Sequence, residues 1–307
     1  MKSKKLASFL FAIVTLGLVS CNQNPSKTNE ETPTRGKIKI TVDDAYRLLI
    51  DTEIFTFESL YHYAHIKPQY KSELDVIEDF MNDSVQNIVC SKELTQNQID
   101  YLKSKQIIVR TTQIAYDAIA FISNKANKDT LLTYNQIKDM LSGKISMWKQ
   151  IQKKSPLNNI KIVFDNEKSS NVRFVMEKYN LPLKFPDYCA AVNNNEEVVK
   201  YVENHPNAIG VISVNWISDK QDSISHSFLS KIKVMAISNE LEPDGGDYYQ
   251  PYQGFVADKS YPFIRKVFYI SRETFTGLGS GFASFISGDV GQRIILKSGM
   301  VPATMPI

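Results

Sequence analysis

The sequence lacks the motifs of several large enzyme classes. Its 307 residues contain no H-E-x-x-H, no G-x-S-x-G and no glycine-rich nucleotide-binding loop. Only four histidines are present, and the closest pair, His62 and His65, has no cysteine nearby to complete a metal site. These absences predict a protein that needs no metal and no cofactor.

An excess of charge of one sign is also lacking. The formal net charge is +3, and Lys2, Lys4 and Lys5 account for it, because residues 1–20 contain no acidic side chain. Without that segment, 33 of the 36 Lys and Arg remain to balance the 33 Asp and Glu. Proteins that bind nucleic acid need a basic surface that displaces counterions from phosphates. The sequence therefore predicts no nucleic-acid partner.

Apolar runs long enough to cross a bilayer are absent as well. The longest, LASFLFAIVTLGLVS at residues 6–20, is shorter than the roughly 20 residues of a membrane-spanning helix. Because lysines precede it, we interpret residues 1–20 as a secretory signal peptide. The segment Leu18-Val19-Ser20-Cys21 resembles the lipobox of bacterial lipoproteins, whose cysteine becomes lipid-modified. An ordinary cleaved signal is the alternative.

Cysteine is scarce after Cys21. Only Cys90 and Cys189 follow, and their apolar neighbours favour two buried free thiols. A disulfide is the alternative, since exported proteins permit one. Residues 22–36 contain no large apolar residue, so residues 21–36 are predicted to be a lipid-anchored flexible tether. We expect an exported protein, in the periplasm or at the cell surface, that contacts a bacterial membrane through its lipid alone.

Short apolar runs alternate with amphipathic stretches from residue 37 onward, a pattern typical of α/β proteins. Ser72 is predicted to cap a helix whose buried face consists of Leu74, Ile77 and Met81.

Polar and glycine-containing segments mark further boundaries. Thr133 and Gln136 form a T-x-x-Q capping box for a helix that Gly143 is expected to end. The polar stretch SDKQDSISHS, residues 218–227, is predicted to interrupt the regular elements. GLGSG, residues 277–281, is predicted to be a flexible turn before a helix.

Three predicted helices begin at polar residues: near Asp43, at Ser72 and at Ser169. A helix start exposes unpaired N–H groups and carries partial positive charge. Several starts that face one cleft would therefore form an anion site without any unusual residue. The same polar residues could instead be ordinary helix caps.

The order of segments from about residue 85 to 303 resembles the substrate-binding proteins of bacterial phosphate transport. The resemblance rests on IAYDAIAFISNKANKDTLLTYNQIKDMLSGKISMWKQI, HPNAIGVISV, YPFIRKVFYI and GQRIILKSGMVPA. It implies a two-lobed α/β fold of the periplasmic-binding-protein type II, with a two-strand hinge and the ligand between the lobes. Lobe 1 would comprise residues 37–117 and 239–307, and lobe 2 residues 118–238.

The resemblance also implies ligand-binding residues, chiefly a serine-containing turn that usually reads S-G-T in that family. Carried over residue by residue, the implied contacts are Ser72, Ser91, Lys92, Ser169, Ser170 and Asn171. The sequence departs from the family at two points. Residues 165–167, Asp-Asn-Glu, stand where an arginine is frequent, and Lys92 stands where arginine, with its planar fork, is usual.

Three charged residues near these positions have two interpretations each. Arg173 could supply positive charge to the site, or it could pair with Glu177 at i, i+4. Asp43 and Asp44 could be helix caps. Alternatively, their carboxylates could accept the proton of hydrogen phosphate, which fully deprotonated sulfate lacks.

The sequence thus predicts a monomeric, non-enzymatic protein that captures phosphate or a related small oxyanion for the membrane subunits of an ABC importer. One alternative is a sensory or scaffolding lipoprotein of the same fold with weak or no anion binding. Another is a serine acyl-transfer enzyme, because S-x-x-K (146–149), S-x-N (213–215) and K-S-G (297–299) occur in the order that resembles penicillin-binding proteins. That chemistry needs K-S-G on a strand, whereas here it ends a predicted helix.

Overall fold

A computed structural model of the protein describes residues 31–219 and 222–304. The predicted signal peptide, Cys21 and most of the predicted tether lie outside these residues. The tether prediction is wrong at its C-terminal end, because Arg35 already begins a strand. In addition, the carboxylate of Glu31 accepts a hydrogen bond from the N–H of Leu278 at 3.0 Å. The folded part therefore begins before residue 37.

The described residues form twelve strands, ten of which belong to one mixed sheet. The strands are β1 (Arg35–Asp43), β2 (Tyr63–Lys71), β3 (Asn87–Cys90), β4 (Arg110–Asn124), β5 (Leu131–Thr133), β6 (Lys161–Phe164), β7 (Cys189–Ala191), β8 (Ala208–Ser213), β9 (Ile232–Val234), β10 (Ala236–Ser238), β11 (Ile264–Ser271) and β12 (Val301–Pro302). The main sheet has the order β2-β1-β3-β11-β4-β8-β6-β7, and β9 and β12 also pair with β4. Strands β5 and β10 form a separate pair.

Strand β4 belongs to both halves of the sheet. Its residues 110–118 pair with β11, and Ala115 and Tyr116 pair with β12. From Ile119 onward the same strand pairs with β8 and β9. The sheet therefore has two parts joined by one continuous strand, and the predicted two-lobed α/β fold is confirmed. We call the part with β1, β2, β3 and β11 lobe 1, and the part with β6, β7 and β8 lobe 2.

Twelve α-helices of the described residues connect the strands. They are α1 (Arg47–Leu60), α2 (Glu73–Met81), α3 (Gln96–Ser104), α4 (Tyr134–Leu141), α5 (Trp148–Ile151), α6 (Ser170–Lys178), α7 (Asn195–Asn204), α8 (Asn215–Ser218), α9 (Ser223–Lys231), α10 (Gln253–Ala257), α11 (Leu278–Ser287) and α12 (Asp289–Lys297). The predicted capping box of Thr133 and Gln136 is present at the start of α4. Gly143 follows the end of α4 with a φ of 87°, which favours glycine.

The predicted buried face of α2 is wrong by one position. Leu74 is 54% exposed, whereas Glu73, Val76 and Phe80 form the buried face. Ile77 and Met81 are only partly buried at its margin. The spacing of the apolar residues fits a buried face at either set of positions. Sequence reasoning does not expect a glutamate on the buried face, because charged side chains are seldom fully buried. The reason for its burial is a set of hydrogen-bond donors described below.

Two predicted irregular segments are helical. The polar stretch at 218–227 contains the start of α9, where the carboxylate of Asp222 accepts from the N–H of Ser225 at 2.7 Å. The GLGSG segment lies mostly inside α11, which begins at Leu278. There the carboxylate of Glu273 accepts hydrogen bonds from the N–H groups of Gly279 and Ser280, and it thereby replaces a local cap.

One hydrophobic cluster extends through both lobes. Phe121 of β4 packs edge-on against Phe263, with ring centres 4.9 Å apart, where the lobes meet. Cys90 and Cys189 are both free thiols, as predicted, although Cys189 is only partly buried.

Among residues 31–219 and 222–304, no helix combines the length and apolar character needed to cross a membrane. The same residues contain no group of three or more His, Cys, Asp or Glu side chains placed to hold a metal ion.

Candidate functional site

A cavity of about 250 Å³ opens between the lobes at the starts of three helices. Its lining includes Ser72, Ser169 and Asn194, the N-caps of α2, α6 and α7. The starts of α2 and α6 are in direct contact, because the N–H of Leu74 donates to the carbonyl oxygen of Lys168 at 3.3 Å. Since a helix start carries partial positive charge, both lobes direct a positive backbone field into this cavity.

The helix start near Asp43 differs from the prediction. Asp43 caps only a single 3-10 turn, Asp44–Tyr46, with its Oδ1 accepting from the N–H of Ala45 at 3.2 Å. Asp43 and Asp44 nevertheless line the cavity. The third α-helix start belongs to α7 instead, which sequence reasoning did not place at the site. Its capping residue Asn194 and the acidic first turn that follows were the available signals.

The serine hydroxyl groups of the two predicted caps are engaged locally. Ser72 Oγ donates to Asp75 at 2.6 Å and accepts from the N–H of the same residue. Ser169 Oγ donates to Asp165 at 2.6 Å and accepts from the N–H of Val172. The cap interpretation therefore describes both serines. Ser170 differs, because its hydroxyl is buried and interacts with the carboxyl group of Asp43 rather than with its own helix.

A buried polar layer lies beside the cavity and was missed in the sequence. Arg265 of β11 donates from Nε to Asp117 of β4 at 2.7 Å, and from Nη2 to Asn171 at 2.9 Å. Asn171 in turn donates to Asn195, whose amide lies 3.3 Å from Asp165. The Nη1 of Arg265 is buried without a partner. Both charged residues lie in segments quoted above for the family resemblance, but their pairing spans 148 positions of the chain.

A second polar cluster joins the two lobes around Glu73, a residue that is only 2% exposed. Its carboxylate accepts from the N–H of Ser91 at 2.9 Å, from Ser91 Oγ at 2.7 Å and from two guanidinium nitrogens of Arg173. Arg173 also pairs with Glu177 at 2.7 Å, as the ion-pair interpretation predicted. Lys92 pairs with Glu177 at 2.8 Å. The cluster borders a larger interlobe hollow of about 540 Å³.

Burial changes the protonation of two carboxyl groups at the site. Burial, together with the nearby negative charge of Glu73, raises the pKa of Asp43 to about 8. Burial also raises the pKa of Asp165 to about 6, although hydrogen bonds from Ser169 and Asn171 oppose the shift. The raised pKa favours the protonated form of Asp43, which carries no negative charge at the cavity wall.

The three motifs of the acyl-transfer alternative are arranged unsuitably for that chemistry. The hydroxyl of Ser213 is buried and donates to Asp117 at 2.9 Å. Ser146 precedes the short helix α5, and its N–H donates to Gln150 at 2.9 Å. Residues 297–299 close α12, with Gly299 in a left-handed conformation, and do not form a strand. The arrangement gives no support to a serine nucleophile.

Comparison with known proteins identifies relatives of the whole fold. A family model described as the PBP superfamily domain matches residues 27–290. The phosphate-binding protein PstS of Staphylococcus saprophyticus is 25% identical over 211 residues, which is 68% of this chain and 61% of that protein. The phosphate-binding protein PstS of Borreliella burgdorferi is 20% identical and covers 97% of this chain and 98% of its own length. The chain thus spans only about 61% of its staphylococcal relative.

Solved structures show the same fold. The phosphate ABC transporter substrate-binding protein of Clostridium perfringens, solved with bound phosphate, superposes with a TM-score of 0.74 at 21% identity and covers 88% of this chain and all of its own. The ABC-type phosphate transport receptor of Vibrio cholerae gives a TM-score of 0.64 at 17% identity, covering 87% of this chain and all of its own.

Proposed function

We propose, on the premise that the chain belongs to the periplasmic-binding-protein (PBP) superfamily, that it captures phosphate or a related small oxyanion and delivers it to an ABC importer. The observation that carries this proposal is the cavity where helix starts from both lobes meet. The relatives' names, phosphate-binding proteins, support the choice of oxyanion. The binding is non-covalent and needs no cofactor.

We propose that the ligand contacts come from the two polar clusters between the lobes. The proposed binding residues are Asp43, Asp44, Ser72, Ser91, Lys92, Ser169, Ser170, Asn171 and Arg173. The Ser170 hydroxyl is one such donor, because it is buried at the start of α6 and interacts with the carboxyl group of Asp43, which lines the cavity. Protonated Asp43 reduces the repulsion that an entering anion meets.

The mechanism that we propose is closure of the lobes around the ligand, with the ligand selecting the closed state. We propose that the lobes divide near residue 118 and again near residue 238, and the change of partners along β4 between Ala118 and Ile119 supports the first of these boundaries. The starts of α2 and α6 lie on opposite sides of that division. Closure would therefore complete the anion site.

We further propose that the protein is exported and anchored through a lipid on Cys21, as a monomer on a bacterial membrane. The support is the basic and apolar N-terminal segment that ends at the lipobox-like sequence. Mass spectrometry of the mature N-terminus tests the lipid anchor. An unmodified Cys21, or a mature chain that starts at another residue, would contradict this part of the proposal.

The test of anion capture is a thermal unfolding series with phosphate, sulfate, molybdate and arsenate. Phosphate at about a hundred times its dissociation constant should stabilise the folded protein by roughly 2.7 kcal/mol. Ser170→Ala should weaken the affinity roughly tenfold, because a hydrogen bond to a charged group contributes about 1.5 kcal/mol. Ser59→Ala, at an exposed position of α1, is the control and should leave the affinity unchanged.

A sensory or scaffolding protein of the same fold is the second candidate. One observation favours it: the guanidinium group of Arg173 is already paired with carboxylates of the chain itself. If none of the four oxyanions raises the unfolding temperature, this second candidate replaces the first.

A further inference from the structure

The carboxylate of Glu73 has the surroundings of a bound oxyanion. It accepts hydrogen bonds from a backbone N–H and a hydroxyl, both of Ser91, at 2.9 and 2.7 Å. It also accepts from Nε and Nη2 of Arg173, which approach as a fork. Charge-assisted hydrogen bonds of this kind are strong and directional. Because Glu73 is only 2% exposed, its carboxylate is shielded from water.

These donors belong to both lobes. Glu73 begins α2, and Ser91 follows β3, so both lie in lobe 1. Arg173 lies in the first turn of α6, in lobe 2. The contact therefore joins the lobes across the crevice, in the way that a ligand would.

The hydrogen bonds of Arg173 within the chain use four of its five N–H groups. Its Nε and Nη2 face Glu73, and Nη2 also reaches Ser91 Oγ at 2.8 Å. Its Nη1 donates one N–H to Glu177 at 2.7 Å. An entering oxyanion that needs the fork of Nε and Nη2 must therefore first displace the carboxylate of Glu73. The two carboxylates differ in burial, since the side chain of Glu177 is 51% exposed.

We propose that Glu73 is an internal anion: it holds the two lobes closed in the absence of ligand, and an oxyanion of the phosphate class binds only by displacing it from Arg173 and Ser91. The identity of the displacing ligand rests on the proposed function. The closure of the ligand-free protein by Glu73 is independent of that function. Glu73 would thereby lower the affinity, because the ligand must displace its carboxylate from Arg173 and Ser91 before it can use those donors.

The test compares Glu73→Gln with Glu78→Gln in the full mature protein. Both replace a glutamate of α2, but Glu73 is buried against Arg173 of the other lobe, whereas Glu78 is exposed. Small-angle X-ray scattering without ligand should show a larger radius of gyration for Glu73→Gln and an unchanged one for Glu78→Gln. Calorimetric titration with inorganic phosphate should show at least tenfold tighter binding to Glu73→Gln than to the unmodified protein.

A second variant separates charge competition from lobe opening. Arg173→Gln breaks the same contact from the other lobe, so it should also enlarge the radius of gyration, but it removes the donor and should not tighten phosphate binding. It also provides the scattering readout if Glu73→Gln fails to fold, which circular dichroism reveals.

The outcomes are distinct. If the variants that break the contact scatter like the unmodified protein, Glu73 does not hold the lobes and the inference is overturned. If Glu73→Gln opens the protein but binds phosphate no more tightly, displacement is overturned. If no protein binds phosphate or any of the other three oxyanions, the proposed function is overturned, and the scattering alone decides whether Glu73 closes the lobes.

Discussion

Asp43 illustrates how a single residue at the site responds to its surroundings. Its Oδ1 accepts from the N–H of Ala45, and its carboxyl group also interacts with the buried hydroxyl of Ser170. Burial is the main reason that its pKa rises to about 8, and the charge of Glu73 adds to it. A cap on an exposed helix would keep its ordinary acidity. Asp43 is thus more than a cap, although capping was one of its two predicted roles.

The raised pKa predicts a pH dependence of stability. Between a pH of about 4 and about 8 the folded protein retains a proton that the unfolded chain has released, so the free energy of unfolding falls as pH rises. The slope due to this group is at most about 1.4 kcal/mol for each pH unit. Asp43→Asn should remove it. Urea unfolding from pH 5 to 8 measures the effect, with the exposed Asp187→Asn as control. Equal slopes in all three proteins would contradict it.

Residues whose role depends on neighbours in the chain could be predicted. Ser72 and Ser169 were predicted as helix starts because a polar residue before an amphipathic run is a local signal. Glu73 and Arg265 could not be placed. Their partners Arg173 and Asp117 lie 100 and 148 positions away, and no local pattern reports a contact of that separation.

At the scale of the element, α11 shows why a glycine-rich segment is not always a turn. A Cβ added at Gly281 would lie 1.8 Å from the carbonyl oxygen of Pro33. The glycine therefore permits close packing of the helix against the N-terminal segment of the described chain. The sequence signal was present, but glycine alone does not distinguish a flexible turn from a close approach.

The close approach predicts that Gly281→Ala destabilises the protein. Because the obstructing atom belongs to the backbone, α11 or the segment around Pro33 must shift, at a cost of about 1 to 3 kcal/mol. Gly254→Ala is the matched control, since that position in α10 has no atom within 4 Å of the added Cβ. Alanine there should be neutral or stabilise by up to about 1 kcal/mol. Chemical unfolding of both variants measures the difference, and an unchanged Gly281→Ala would show that the packing is loose.

At the scale of the whole molecule, the alternation of apolar and amphipathic segments predicted the α/β class, and the family resemblance predicted two lobes. The continuous strand β4, which changes partners between Ala118 and Ile119, is the feature that makes both predictions hold. The residues that line the crevice could not be predicted in this way, because they depend on how the two lobes pack against each other. Contacts such as Leu74 to Lys168 and Glu73 to Arg173 join segments that carry no mutual signal in one sequence.

The central claim is that the backbone at converging helix starts, together with a few buried side chains, binds phosphate between the lobes. A crystal structure of the protein grown with orthophosphate tests it most directly. We predict phosphate in the cavity that Ser169 lines, within hydrogen-bond distance of the N–H groups of Ser170 and Asn171 at the start of α6. An empty cavity at saturating phosphate, with these three residues turned away from it, would contradict the account.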